Sequence, residues 1–384
     1  MPNTSAAMTV NQDRLVSTFL DLVRLNTPPR SERLASEMAM SILQELGFDC
    51  RFDDAGIAVG GDVGNLFASK KGTVAGAPTI FFSAHFDTVE PTEGIDPIIE
   101  GDIIRSDGNT VLGADDKCGI APILEAMRML VEHEVPHGDI QLILTICEEI
   151  GLVGAGKIDR DDITSAYGFV LDGGPPVGSF VYSAPTQDIF EVWIRGKSSH
   201  AGALPEEGVS AISIAAKAVA RMNIGRVDHE TTANVGIIRG GVATNIIPAE
   251  CYLKCEARSR NIDKLIRTRD TMINLFKEEA DAAGGSVSVE CYNAYPGYEL
   301  NMKATVLAIG AKAAENIGLE PLMRVTGGGA DANIFNALGI PTTVLGCGMM
   351  NIHRHDEYVK ISDMVKTTEL VISIVQTAAV WQEE

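Results

Sequence analysis

Apolar residues recur with helical spacing in two N-terminal runs, Leu15-Val16-Ser17-Thr18-Phe19-Leu20 and Leu34 to Leu46, with Pro28 and Pro29 between them. These predict helical structure over 11–48, with Gly47 as a stop signal. The pattern then switches to short apolar runs. Leu66-Phe67-Ala68 and Thr79-Ile80-Phe81-Phe82-Ser83 read as strands, the second of them buried. Ile120, Ile123, Leu124, Met127 and Leu130 share one face of a helix predicted over Gly119 to Glu132. Strands follow at Ile140 to Thr145 and Gly168 to Leu171. Strands alternating with helices predict an α/β sheet covered by helices.

Near Pro185 the rhythm changes. Ile189-Phe190-Glu191-Val192-Trp193-Ile194 alternates as a half-exposed strand does. A helix at Ser210–Met222, strands at Thr232–Ile238 and Cys251–Ala257, a helix at Ile262–Ala283 and a strand at Ser286–Cys291 complete a ferredoxin-like order. The expected organisation is therefore α/β: a domain of 1–185 and 294–384, interrupted by an inserted α+β domain of 186–293. After the insertion, a helix at 303–317 and a strand at Thr342–Leu345 resume the first pattern. A length of 384 residues agrees, since it exceeds one ordinary core.

Charge and composition narrow the chemistry. A net charge of −21 argues against a nucleic-acid partner, which needs a basic surface. No apolar run reaches the roughly 18–20 residues of a membrane span. Met1 to Val10 has no basic cluster and no apolar core, so it does not read as a secretory signal, and the cytoplasm is the expected location. Seven cysteines read as reduced, mostly buried thiols; Cys251 and Cys255 read as structural. His133, His137 and His229 read as surface residues.

Five distant segments place metal-liking side chains beside the predicted strands. They are Ala84-His85-Phe86-Asp87-Thr88, Gly113-Ala114-Asp115-Asp116-Lys117, Cys147-Glu148-Glu149, Leu171-Asp172-Gly173 and Asn351-Ile352-His353. Each alone has an ordinary explanation: a strand-end histidine, acids at a helix start, a solvated turn. Jointly they offer enough donors for two divalent ions sharing a carboxylate, about 3.5–4 Å apart, a pairing that suits amide hydrolysis. His85 and Asp87, two apart, share a face at the carboxyl end of a strand, where α/β sheets bind ligands. One of Glu148 and Glu149 is expected to bind metal while its neighbour, on the opposite face, handles protons. Of His353 and His355, one is needed. Thr326-Gly327-Gly328-Gly329-Ala330-Asp331-Ala332-Asn333 lacks the Lys-Ser/Thr of a phosphate loop, and Asp331 receives no role.

The ordered set AHFDT, GADDKCG, ICEEIG, LDGG, GKSSHAG and NIHRHDE resembles metallopeptidase family 20, the di-zinc aminoacylase and carboxypeptidase group, and within it the aminotripeptidase (peptidase T) branch. The resemblance implies a zinc-exopeptidase-like α/β/α catalytic domain with a ferredoxin-like lid that also serves dimerisation. It implies that His85 and Asp172 hold one zinc ion, Glu149 and His353 the other, and Asp115 both; manganese and cobalt are the alternatives to zinc. It implies Glu148 as general base, Asp87 as the group orienting His85, and a cis peptide between Asp115 and Asp116. In the lid, His200 would polarise the substrate carbonyl, within its own chain or from the partner of a homodimer. Asn245 and Arg258 would bind substrate, Arg258 through a carboxylate. The segment between the first two motifs is much shorter than in peptidase T proper, so part of the pocket is expected to differ. The implied activity is hydrolysis of short peptides by a water between the ions, activated by Glu148. An N-acyl-amino-acid deacylase with the same apparatus, and a metal- or peptide-binding protein without turnover, are the rival readings.

Overall fold

The computed structural model describes residues 8–382. These divide into two compact units, one within 8–182, 299–325 and 330–382, the other of 183–298 and 326–329. The interruption near Pro185 is thus present. The second unit also takes in the first half of the Gly-rich segment, whose contact order the local pattern does not carry.

In the first unit the sheet runs Asp49–Phe52, Leu66–Lys70, Ile140–Thr145, Ile80–His85, Tyr167–Gly173, Thr342–Gly346 and Ser179–Ala184. Ile80–His85 is parallel to both Ile140–Thr145 and Tyr167–Gly173, and Tyr167–Gly173 is parallel to Thr342–Gly346. All six residues of Ile80–His85 and of Ile140–Thr145 are buried, as a sheet covered on both faces requires. His85 pairs in register with Thr145, so the ends of these strands meet at one edge. The helix Ala114–Glu132 packs on Ile80–His85, Gln12–Val23 and Ile361–Ala379. Its middle is buried all round, Glu125 included, whose carboxylate is paired by Arg14 at 2.8 Å.

Gln12–Val23 and Arg33–Glu45 are separate helices, as the intervening prolines predict. The first starts at Asn11, whose side chain accepts the Arg14 N–H. A small sheet of Tyr358–Lys360, Ile103–Arg105 and Ile98–Glu100 ties the C-terminal motif to the chain before Asp115.

The second unit is an antiparallel sheet, in the order Gly225–Arg226, Thr231–Gly240, Glu250–Ser259, Thr186–Arg195, Ser286–Tyr295. Phe190, Val192 and Ile194 are fully buried while Glu191 and Trp193 between them are not. That period of two buries one face against the helices Ala211–Arg221 and Ile262–Ala283 through Ile214, Ala215, Met272 and Phe276. Ser210 and Asn261 cap these helices by accepting the N–H groups of Ser213 and Lys264. Cys251 and Cys255 lie in this core, and all seven cysteines are free thiols. His137 corrects the surface reading: it is buried, with Nδ1 2.7 Å from the Gly138 carbonyl oxygen. Among the described residues, no helix is long and apolar enough to cross a membrane.

Candidate metal centre and active site

The five segments converge at the carboxyl ends of the parallel strands. His85 ends its strand fully buried. Its Nδ1 lies 2.9 Å from the Asp87 carbonyl oxygen and 3.4 Å from the Asp87 carboxylate. A carbonyl oxygen only accepts, so Nδ1 carries a hydrogen and Nε2 is left to face the site. That Nε2 is 3.0 Å from Asp115 Oδ1. The other oxygen of Asp115, Oδ2, is 3.3 Å from His353 Nε2, which is also 3.0 Å from Glu149 Oε1. Asp115 therefore presents one oxygen to each histidine.

At this edge two groups of side chains offer ligand atoms within 4.8 Å of one another: His85, Asp115 and Glu149, and His85, Asp116 and Asp172. Asp172 lies in Tyr167–Gly173, near its carboxyl end. Asp115 and Asp116 lie at the start of Ala114–Glu132 with non-helical backbone angles, and the peptide between them is cis. His353 and His355 are both exposed and in neither group, but the His353 ring reaches Asp115 and Glu149.

The expectation that Glu148 and Glu149 alternate as strand neighbours is not met. Their strand ends at Thr145, and both lie in a turn beyond it. Their orientation comes instead from Asp87, whose two carboxylate oxygens accept the N–H groups of Glu148 at 2.9 Å and Glu149 at 3.0 Å. Asp87 thus braces the His85 ring through its carbonyl and the Glu turn through its side chain.

The electrostatics suit cations. Burial, with the carboxylate of Asp172 beside it, pushes Asp116 well above the usual carboxylate range. Burial does the same to Glu148, with Asp172 and Asp331 adding to it against His85, and to Asp172, with Asp115 adding to it. Burial also raises Glu149, against its bond to His353. Asp115 alone is held low: burial opposes, but the bonds to His353 and His85 win. Asp116 Oδ1 is buried without a partner. So many acids around two imidazoles cannot all ionise unless positive charge is supplied. Mixed histidine and carboxylate donors, with an oxygen left over, fit divalent ions.

Several contributors escaped the sequence reading. Asp331 is buried, accepts from Thr145 at 2.5 Å, and is raised to about 6 by burial. Glu357 accepts the N–H groups of Leu112, Gly113 and Asp115 at 2.7–3.0 Å and so fixes the chain entering Asp115. Its place four residues after His353 was the available signal. Lys117 is buried, and its ammonium donates to Thr27 Oγ1, the Phe86 carbonyl and Thr88 Oγ1. Burial lowers it to about 8, but three acceptors match its three hydrogens.

The second unit holds the remaining candidates. His200 is exposed; its Nδ1 accepts from the N–H groups of Gly202 at 3.2 Å and Ala203 at 3.1 Å. With Nδ1 accepting, the neutral ring carries its hydrogen on Nε2, the form that donates to a carbonyl. His200 bridges Ile246, and Asn245 accepts the Ala201 N–H, so His200 and Asn245 sit together. Arg258 does not join them. It lies eight residues beyond Glu250 on Glu250–Ser259, about 26 Å at 3.3 Å per residue, and its guanidinium is paired with Glu256.

Parallel strands that deliver His85 and Asp172 to one edge, where a helix start, a turn and a C-terminal loop add Asp115, Glu149 and His353, define a metallopeptidase-type hydrolase. The chain belongs to peptidase family M20/M25/M40, whose sequence pattern matches residues 81–377. It is similar to the uncharacterized protein YqjE of Bacillus subtilis (strain 168), 41% identical over 370 residues, 96% of this chain and 100% of that one. Peptidase T of Shewanella pealeana is 28% identical over 89% of this chain and 91% of its own. Among solved structures, aminopeptidase PepT from Bacillus cereus ATCC 10987 has a TM-score of 0.87 at 42% identity, covering 96% of this chain and 99% of its own. A tripeptidase from Staphylococcus aureus Mu50 has a TM-score of 0.92 at 36% identity, covering 97% and 100%.

Proposed function

We propose that the chain is a di-zinc aminopeptidase of the peptidase T type, cleaving short peptides. The observation that carries the ligand assignment is Asp115, with one oxygen toward His85 and the other toward His353. On this reading Asp115 serves both ions, Asp172 joins His85 at one, and Glu149 joins His353 at the other. Two divalent ions, when bound there, polarise a carbonyl and lower the pKa of an adjacent water. Glu148 takes the proton of that water on its carboxylate and passes it to the leaving amine. Asp87 holds both Glu148 and Glu149 in place. His200, through Nε2–H, polarises the scissile carbonyl. Asn245 and Arg258 contact the peptide.

The substrate class is tested with di-, tri- and tetrapeptides, an N-acetylated tripeptide and N-acetyl amino acids. Free-amine tripeptides are expected to turn over fastest, and N-acetylation to reduce kcat/KM strongly. Faster cleavage of N-acetyl amino acids would replace the aminopeptidase reading with the deacylase one.

The second unit is proposed to act as a lid and to pair with that of a second copy. Its support is the separation of Arg258 from His200 and Asn245: one lid presents them at different ends, so the two ends can serve different sites. Mixing His200→Ala with Glu148→Gln subunits is expected to restore part of the activity neither variant has alone. Absence of recovery, with subunit exchange demonstrated, would place His200 in its own chain's site or in none.

A further inference from the structure

Glu32 sits in a polar stretch, Arg30-Ser31-Glu32-Arg33, yet its side chain is fully buried. Its Oε1 accepts the N–H of Arg30 at 3.0 Å, the N–H of Cys147 at 3.0 Å and the thiol of Cys147 at 3.3 Å. Cys147 has φ 54, in the left-handed region that side-chain-bearing residues rarely adopt. The next two amides, of Glu148 and Glu149, end on Asp87. Three successive N–H groups of the turn are therefore held by two buried carboxylates. Glu32 is itself anchored, since its own N–H and that of Arg33 donate to Asp62 Oδ1. The helix Arg33–Glu45 starts at that point.

We propose that Glu32 is a positioning residue for Glu148, acting through the main-chain N–H of Cys147. The proposal rests on the reading of Glu148 as general base. A left-handed residue persists only where its surroundings over-determine it. Withdrawing the acceptor leaves a buried N–H and thiol unpaired, and the turn then relaxes until they find partners. The Glu148 carboxylate, one residue on, moves with it. The acceptor matters here rather than the charge, and the amide rather than the thiol.

That distinction sets the test: kcat, KM, metal content and Tm for the metal-loaded wild type, Glu32→Gln, Glu32→Asp, Glu32→Met, Cys147→Ala and Glu148→Gln. Gln keeps an oxygen at the same reach and is expected to stay within about threefold of wild-type kcat. Met fills the space without an acceptor and is expected to lower kcat by roughly 10–100-fold, as small misplacements of a reacting group do, with KM within threefold and both ions retained. Asp keeps the charge but falls one methylene short, so its kcat is expected below that of Gln. This ordering decides the matter even where Met fails to fold. Cys147→Ala keeps the amide and is expected to behave as wild type. Equal losses in Gln and Asp, unchanged kcat in Met, or losses that follow metal content would overturn the proposal. Glu148→Gln separates the two layers. If it loses turnover while the Glu32 series does not, only the role of Glu32 fails. If it retains turnover, the reading beneath it fails too.

Discussion

Glu148→Gln is expected to keep both ions and to lose turnover by roughly 10²–10⁴, the usual contribution of a positioned general base. The corresponding rise in barrier is about 3–5 kcal/mol. Gln has nearly the same shape, and the bond that places residue 148 runs from its main-chain N–H to Asp87, so substitution leaves it intact. The basic oxygen alone is removed. Metal content by elemental analysis, beside steady-state rates on a tripeptide, checks the outcome. Loss of an ion with the side-chain change would show that Glu148 is a ligand and that the two roles in the Glu turn are exchanged.

What could be read in advance follows from what local pattern encodes. The strand Ile80–His85 and the helix Ile262–Ala283 carry clean apolar periods, and both stand close to where the pattern put them. The helix Ile361–Ala379 went unread. It is rich in Val, Ile and Thr and buried over most of its length, so only a narrow polar stripe through Ser362, Lys366, Glu369 and Gln376 marks it. The strand Ser179–Ala184 follows Pro175-Pro176 and contains two serines, and it is fixed by pairing with Thr342–Gly346 far along the chain. The candidate site divides the same way. Residues in strand-end motifs were visible because a histidine or acid after a buried run is chemically conspicuous. Glu32 was not, because its partner is the amide of Cys147, 115 residues away, and nothing around it is periodic. The strand premise for separating Glu148 from Glu149 fails for a related reason. A period-two argument holds only while the strand continues, and this one ends at Thr145.

Removing metal is expected to abolish peptide hydrolysis, and zinc is expected to restore it, with manganese and cobalt as comparisons. His353→Ala should cost one ion of the two, since Asp115 and Glu149 face its Nε2; His355→Ala should cost none. Stability gives a second readout, independent of turnover. In the ion-free chain Asp116, Glu148 and Asp172 sit above the carboxylate range, Glu149 is raised, Asp331 sits at about 6, and His353 at about 10 through its bonds to Asp115 and Glu149. For an acid whose folded pKa is raised, the folded state binds more protons than the unfolded one, so stability falls as pH rises above the unfolded value of about 4. For His353, pairing contributes fully below about 6.5, the unfolded value, and is lost toward 10. Both effects have the same sign between pH 5 and pH 8; Asp115, held low, acts only below the ordinary carboxylate range, and Lys117, lowered to about 8 by burial, opposes them only above that pH. The Tm of the ion-free protein should therefore decline from pH 5 to pH 8. Ions need the same groups deprotonated, so the rise in Tm on adding zinc should grow over that interval. Thermal unfolding with and without zinc at each pH measures both slopes. An ion-free Tm that climbs with pH, or full turnover after verified removal of metal, would exclude this cluster as the metal centre.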